Sequence, residues 1–310
     1  KRGPGCRARL CALTPTMHAA PPTSQEPPRD SASVVLLQDG AAGMQVLLLR
    51  RHAKASSMAG IYVFPGGKLE GEDHFTDGAS HLDQPHSTLA QQLGEACTTP
   101  ATAAALYVAA LREALEECGL LLAEPQTAGQ GVDAGDARKR LRGGQAFTSV
   151  LGTLALRLQT RALLPWSRWI TPVAPSMSSR RFDTRFFVAR APSGQVARHD
   201  DEETVDTLWI APRTALEQYR DGAIDLAPPQ IMSLAHLARY ASAAQVLEAA
   251  SCRRPPTILP QAFDDGGTRV ICYPGDARHA VREHALPGPT RLYYRERRFF
   301  PEQGFDALFD

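Results

Sequence analysis

Short apolar runs open the chain's patterned region. Ser33 to Leu37 and Met44 to Arg50 read as β-strands, and the polar stretch between them contains Asp39-Gly40, a turn signal, so the pair predicts a hairpin. Ile61 to Phe64 predicts a further short strand, closed by Pro65-Gly66-Gly67, where glycine can take positive φ and bring backbone close to a ligand. From Glu70 to Pro100 the pattern is lost among Gly, His, Gln and Thr, with only a weak helical period around Leu82 to Ala96. That stretch predicts a surface insertion and not a core element.

Ala101 to Leu122 turns to Ala, Leu and Glu at helical spacing, with Gly119 near its end, and predicts one strong helix. A linker, Ala123 to Asp136, precedes an expected helix from Ala137 to about Gln159. Trp169 to Val173, Arg180 to Arg190 and Val205 to Ile210 read as strands, and Ala211-Pro212 starts a helix running to Tyr219. Ile231 to Ala250 is expected to be helical. Ile258 to Tyr273 gives two extended pieces around Asp264-Asp265-Gly266-Gly267. No repeat period is present, and the mixed order predicts an α/β fold.

Charge changes this picture little: 34 Lys plus Arg stand against 33 Asp plus Glu, leaving +1. Such a balance offers no global field for a phosphate backbone or an anionic bilayer, so nucleic acid is disfavoured as the main partner. The longest apolar run, Ala103 to Leu111, falls far short of the ~20 residues of a membrane span. The six cysteines form no C-x-x-C pair, which fits a reducing compartment better than a disulfide scaffold. Residues 1–31 are rich in proline, carry no acid before Glu26 and contain Met17, so a disordered leader is expected, either transit-like or an extension ahead of Met17. Residues 32–250 are expected to form the main domain, with 74–100 inserted in it, and 251–310 a C-terminal supplement of helical and extended pieces. The last residues, Asp306 to Asp310, do not make a peroxisomal address of the S-K-L type, and a cytoplasmic location is expected.

The segment Arg112-Glu113-Ala114-Leu115-Glu116-Glu117-Cys118-Gly119-Leu120 carries the chemistry. Measured from Leu111 at 100° per residue, the apolar set Leu111, Leu115, Cys118 and Leu122 lies within about 40° of one direction, while Glu113, Glu116 and Glu117 lie near about 140 to 240°. Like charges at this spacing repel, and a solvated surface or a hard cation can relieve them. The preceding strand and glycine loop, Phe64 to Glu70, favour the cation, because the three parts together can cradle a diphosphate beside Mg²⁺.

These residues resemble the Nudix hydrolase family, whose signature is G-x5-E-x7-R-E-U-x-E-E-x-G-U with U a bulky aliphatic. Arg112 to Leu120 match its second half; Gly67 matches its first glycine, with Asp73 or the equally close Glu72 in the place of its first glutamate. Thirty-eight residues, His74 to Leu111, stand where the pattern has seven. An insertion is tolerable there if both ends return to one place, since loop closure costs rise only logarithmically. The split signature resembles the branch that includes peroxisomal coenzyme A diphosphatases. Upstream, Leu47-Leu48-Leu49-Arg50-Arg51-His52, Gly60 and Phe64-Pro65-Gly66-Gly67 fit the coenzyme A element of such enzymes, departing from it at Leu49, His52 and Ser56. Downstream, Trp169 to Pro172, Arg180 to Phe187, Trp209 to Pro212, Leu226 to Gln230 and Pro274 to Asp276 are similar to that branch as well.

The resemblance implies a mixed sheet between helices and a Mg²⁺- or Mn²⁺-dependent pyrophosphohydrolase. It implies Glu116 and Glu117 as metal ligands, Glu113 completing the acidic face, Gly67 presenting its carbonyl to a metal, and Arg112 holding a carboxylate in place. Glu203, in the acidic run His199 to Glu203, is the candidate for a supporting ligand or general base; a solvated turn is the other reading. Arg51 is the candidate contact to a substrate phosphate. Phe64, Arg181 and Phe182 are further candidates for an anionic, adenine-bearing ligand. For the strand around Arg181 to Val188, Arg–Asp pairing across the sheet remains the alternative. The implied substrate is coenzyme A or acyl-coenzyme A, giving 3′,5′-ADP and a phosphopantetheine product. Rivals are ADP-ribose, dinucleotides or a capped RNA end, and, from another class, a non-catalytic module sensing nucleotide or coenzyme A. The resemblance also allows a homodimer.

Overall fold

The computed structural model describes residues 26–41, 43–53, 59–75, 81–127, 129–172 and 181–310. The expected leader lies outside these residues up to position 25, and its last residues, Arg29 to Ser31, already belong to a strand. Strands β1 (Arg29–Gly40), β2 (Gly43–Arg51), β3 (Tyr62–Val63) and β4 (Gly66–Lys68) come first, followed by helices α1 (His86–Leu93) and α2 (Pro100–Cys118). Then come β5 (Ala123–Pro125), α3 (Ala134–Arg142), α4 (Phe147–Thr153), β6 (Leu156–Leu158), β7 (Leu164–Ile170), β8 (Phe182–Arg190) and β9 (Thr204–Ile210). Helices α5 (Pro212–Arg220), α6 (Pro228–Leu237) and α7 (Ala243–Ser251) precede β10 (Thr257–Ile258), β11 (Gln261–Asp265), β12 (Thr268–Cys272), β13 (Arg291–Arg295) and β14 (Arg298–Pro301).

The main sheet runs β10-β7-β8-β1-β2-β3, with β4 also on β1 and β9 also on β2. It is mixed, because β1 pairs with β8 and β10 with β7 in parallel while the other pairs are antiparallel. Both faces are covered. Ala32, Val34, Leu36, Leu47 and Leu49 pack toward α2, whereas Val35, Leu37, Val46 and Leu48 pack toward α5, α6 and α7. Side chains alternate across a strand, so burial on both faces explains why the β1 and β2 segments read as unbroken apolar runs. The sheet between helices is the architecture implied by the family resemblance.

The expected hairpin forms, but Asp39 and Gly40 lie within β1, with Gly40 opposite Gly43. The expected 137–159 helix is instead α3, α4 and β6, broken by Gly143 and by Gly144 at φ 83°. The expected 231–250 helix is interrupted as well, because the Ser242 hydroxyl accepts from Gln245 N–H and starts α7 anew. Val173 and Arg180, at the edges of two expected strands, lie outside the described residues.

The described residues of the insertion lie on the surface as expected, but one side of them packs into the core. Leu89 and Leu93 of α1 are buried against α2, and Tyr107 of α2 donates to Gln92 Oε1 at 2.9 Å. Beyond α1, Glu95 receives Arg185 Nη2 at 2.7 Å, and Arg185 also pairs with Asp30 and Asp183. A run with few apolar residues therefore becomes core through the two leucines that face inward. The C-terminal supplement is likewise continuous with the domain: β10 joins the main sheet, and Ile271, Tyr273, Leu292 and Leu308 pack in the same cluster as α6 and α7. It contains strands and a short 3-10 turn, Phe305–Leu308, in place of helices. Among the described residues no helix is long and apolar enough to cross a membrane, and Cys97, Cys118, Cys252 and Cys272 are free thiols.

Candidate active site

Helix α2 supplies the acidic residues, and its ends follow from local sequence. The Thr99 hydroxyl accepts from Thr102 N–H, and Pro100 occupies the first turn. Gly119 adopts φ 70°, Gly119 N–H donates to Leu115 O and Leu120 N–H to Ala114 O, which ends the helix at Cys118 and not at Leu122. Ala103 to Leu111 are buried all round, because alanines let the sheet on one side and α1 on the other approach closely.

Arg112 joins the two halves of the split motif. Its Nε donates to Asp73 Oδ1 at 2.8 Å and its Nη2 to Asp73 Oδ2 at 3.1 Å, a bidentate, buried pair. Nη1 donates to Glu113 Oε1 and to Glu116 Oε2, both at 2.8 Å, and Nη2 reaches Lys68 O at 3.3 Å. Asp73 is therefore the residue that returns to the helix; Glu72 is exposed. Asp73 Oδ2 also accepts from Glu70 N–H, which holds the chain just past the glycine corner.

That corner is β4. A Cβ on Gly67 would stand 2.1 Å from Glu113 Oε1, so only glycine allows this approach of helix to strand. Neither Gly66 nor Gly67 uses positive φ; the bare backbone serves close packing and not a left-handed turn. The expectation for Gly67 is also revised. Val34 N–H donates to Pro65 O and Leu69 N–H to Asp30 O on either side of the Ala32–Gly67 pair, so alternation turns Gly67's polar groups into the ladder toward β1. The backbone that faces the glutamates is Gly66's, whose N–H donates to Glu117 Oε2 at 2.9 Å.

The acids are unequal. Burial pushes the Glu113 carboxyl up to about 7 against the opposing pull of Arg112, with Glu116 adding to the rise. Burial, and then the neighbouring Glu113, raise Glu117 well above the usual carboxylate range. Glu116, more open, is raised by burial as well. Glu203 contributes to the negative field at both Glu113 and Glu117. It hangs from a loop held by Asp200, whose Oδ1 accepts from the N–H groups of Glu202, Glu203 and Thr204. His52 N–H donates to Glu203 O at 2.8 Å, and Arg51 Nη2 lies 4.0 Å from Glu203 Oε2. Arg51 Nε is buried without a hydrogen-bond partner, and its charge reaches Glu117.

The glutamates, Arg112, Gly66 and Gly67, Arg51 and Glu203 thus converge on the α2 face of the sheet. The other candidates do not join them. Phe64 is buried in the opposite layer with its ring edge-on to Phe186 at 6.3 Å. Arg181 donates Nε to Thr171 O at 3.0 Å, and Phe182 N–H donates to Thr171 Oγ1, at the mouth of the β7–β8 pair. Asp183 and Arg185 of β8 pair with Arg168, Glu95 and Asp30, the alternative raised for that strand. Sequence reasoning missed Arg138, whose guanidinium donates to Glu116 O at 2.8 Å and to Glu117 O at 3.1 Å and so caps the glutamate helix from α3. No local signal marks it. Asp200 was legible in principle, since Asp followed by polar residues favours a turn that its carboxylate closes.

A divalent cation fits this donor set. Among the described residues no Lys or Arg lies within ion-pair distance of the buried Glu117, and its charged surroundings are mainly acids. No three acidic or histidine side chains there already converge on one point, since Glu113 and Glu116 lean on Arg112. A bound ion would draw those two carboxylates from Arg112, leaving the Asp73 pair intact.

The pKa directions give a measurable consequence. Carboxyls raised in the fold favour its protonated form, so without metal the stability from Glu113 is present below about pH 4.5 and is lost as pH rises through about 7, and that from Glu117 is likewise lost as pH rises. A divalent cation bound there would take the place of those protons. Thermal unfolding should therefore show a larger rise in Tm on adding Mg²⁺ at pH 8 than at pH 5; an equal rise at both would remove these carboxylates from metal binding.

The model of the NUDT19 Nudix domain family matches residues 12–237. Acyl-coenzyme A diphosphatase NUDT19 of Xenopus laevis is 27% identical over 236 residues, covering 66% of this chain and 62% of that protein. The protein of the same name from Homo sapiens is 29% identical over 235 residues, with coverages of 65% and 62%. The chain thus spans about 62% of the length of these relatives. Among solved structures, a NUDIX hydrolase from Alicyclobacillus acidocaldarius aligns with a TM-score of 0.57 and 26% identity, over 74% of this chain and 97% of that one.

Proposed function

The chain belongs to the Nudix family, in its NUDT19 branch, and from that premise we propose that it is a divalent-cation-dependent pyrophosphohydrolase of coenzyme A or acyl-coenzyme A. The observation that carries this reading is the Arg112–Asp73 pair, which closes the interrupted signature and lays Gly66 and Gly67 against Glu113 and Glu117. The choice of substrate draws on the acyl-coenzyme A diphosphatases to which the chain is similar and on the coenzyme A-like element around Arg51.

Glu113, Glu116, Glu117 and the Gly66 backbone would hold Mg²⁺ or Mn²⁺. Once bound, the ion would neutralise the diphosphate and make a water more acidic. Arg51, with its unpartnered Nε and its place beside Glu117, binds a phosphate oxygen and orients the diphosphate. Glu203, two-thirds exposed on its loop, accepts the proton of the attacking water as oxygen bonds to phosphorus and the bridging P–O bond breaks. Arg112 does not meet substrate; it keeps Asp73, Glu113 and Glu116 in register. The products are 3′,5′-ADP and phosphopantetheine or its acyl form.

Incubation with Mg²⁺ and coenzyme A, ADP-ribose or NADH, followed by chromatography, tests this. Coenzyme A should give 3′,5′-ADP with the highest kcat/KM of the three. Faster turnover of ADP-ribose or NADH would replace the substrate, and tight binding of coenzyme A with no turnover of any would favour a sensing module.

A further inference from the structure

A second depression opens at the C-terminal end of α2, walled by α3 and by residues 194–199. That segment is tied across the helix end: Leu121 N–H donates to Gln195 Oε1 at 2.8 Å, Gln195 Nε2 donates to Leu121 O at 3.0 Å, and Arg198 N–H donates to Cys118 O at 2.9 Å. Two cavities of about 650 and 460 Å³ meet there and share Arg138 and Arg198 in their walls. Arg142, Ala197, His199, Asp201, Asp206 and Thr207 complete the smaller one. Thr207 pairs with Leu49, which faces α2 as Arg51 does two residues on, so the groove lies on the sheet face that carries the glutamates.

The arginines of the groove make no direct ion pair, although Asp200 and Asp201 act on Arg138 from farther off. Elsewhere in the fold the buried or half-buried guanidinium groups of Arg112, Arg168, Arg185 and Arg291 each meet a carboxylate at 2.6 to 2.8 Å. Among the described residues, none of Arg138, Arg142 and Arg198 has a carboxylate within ion-pair distance. The hydrogen bonds of Arg138 go to the neutral carbonyls of Glu116 and Glu117, and that of Arg142 to Asp200 O at 2.9 Å. Burial and the charge of Arg142 both hold the Arg138 guanidinium below its usual range. The acids in the walls are engaged otherwise. Asp133 caps α3, Asp201 lies 3.0 Å from His199, and Asp206 accepts from Tyr62 Oη at 2.6 Å. Three arginines against two aspartates in the wall of a cavity of small-ligand size, none of the arginines in a direct ion pair, leave a site that an anion fits.

We propose that this groove binds a phosphate monoester carried on the nucleoside half of the substrate, apart from the diphosphate that is cleaved, with Arg198 and Arg142 as its ligands. The proposal rests on the coenzyme A reading, since 3′,5′-ADP carries such a group on its ribose. Arg138 is occupied in capping the glutamate helix and adds charge from behind.

Arg198→Ala and Arg142→Gln test this, because both side chains are exposed and the fold does not depend on them. The readouts are kcat/KM for coenzyme A against dephospho-coenzyme A, which differs only in lacking the monoester, and calorimetric binding of 3′,5′-ADP against 5′-AMP. Each variant should lose about tenfold on coenzyme A while dephospho-coenzyme A changes little, and the preference for 3′,5′-ADP should shrink in parallel. Any effect of Arg142 through the Asp200 loop falls on both substrates and cancels in the ratio. An unchanged ratio, or equal losses on both substrates, overturns the groove assignment. If neither substrate is turned over but 3′,5′-ADP binds in preference to 5′-AMP through Arg198, the groove stands and the hydrolase reading falls. No such preference, or one that Arg198→Ala leaves untouched, overturns the groove.

Discussion

Glu117→Gln should lower kcat by about three orders of magnitude while raising the Tm of the metal-free protein. Both effects have one cause. Glu117 is buried, takes a single hydrogen bond from Gly66 N–H and is surrounded mainly by acids, so its charge is unfavourable in the fold unless a cation meets it. An amide keeps an acceptor for Gly66 N–H, removes that charge and cannot neutralise Mg²⁺. Steady-state kinetics at saturating Mg²⁺ and a thermal melt in chelator provide the two readouts. Wild-type turnover in the variant would take Glu117 out of the chemistry, and a lower Tm without metal would mean that its charge is compensated in some other way. Glu116→Gln should also cost turnover by orders of magnitude, with a smaller change in Tm because Glu116 is more open.

Arg112→Ala should be the more destructive change for the fold. The guanidinium satisfies Asp73, Glu113 and Glu116 at once, and its removal strands a buried Asp73 beside two carboxylates already in excess. Breaking a buried pair by deleting one partner costs about 3–5 kcal/mol. Because Arg112 also fastens the insertion's start to α2, the loss should fall on folding and turnover together. Arg112→Lys should recover little, since a single ammonium cannot reproduce the fork against Asp73 and still reach Glu113 and Glu116. Denaturant unfolding of both variants measures this; a loss below about 1 kcal/mol for the alanine would show that Asp73 is held by something other than Arg112.

Much of the fold was legible because its signals are local. The switch to Ala, Leu and Glu at Ala101 and the glycine at 119 mark α2 within a few residues of its ends, and Gly266-Gly267 marks the β11–β12 turn. Failures occurred where a local pattern was ambiguous or a distant partner decided. Gly143 and Gly144 fall inside the stretch expected to form one helix, and they split it into two. Leu89 and Leu93 lie in a polar stretch, and only the surface of α2 against them makes them core. Phe64 looked available for stacking on a ligand, yet strand alternation carries its ring into the layer opposite the glutamates.

What sequence alone determined is the chemical inventory on α2: three glutamates on one side of a helix follow from the turn of the helix itself, whatever surrounds it. It also showed which segments could complete them. Tertiary structure decided which did: Asp73 and not Glu72, Gly66 and not Gly67, Arg138 from a helix with no local mark. Those choices depend on how the 38-residue interruption returns and on which strand face meets the helix. Contacts between distant segments are set by packing, and packing is not encoded in the spacing of neighbours.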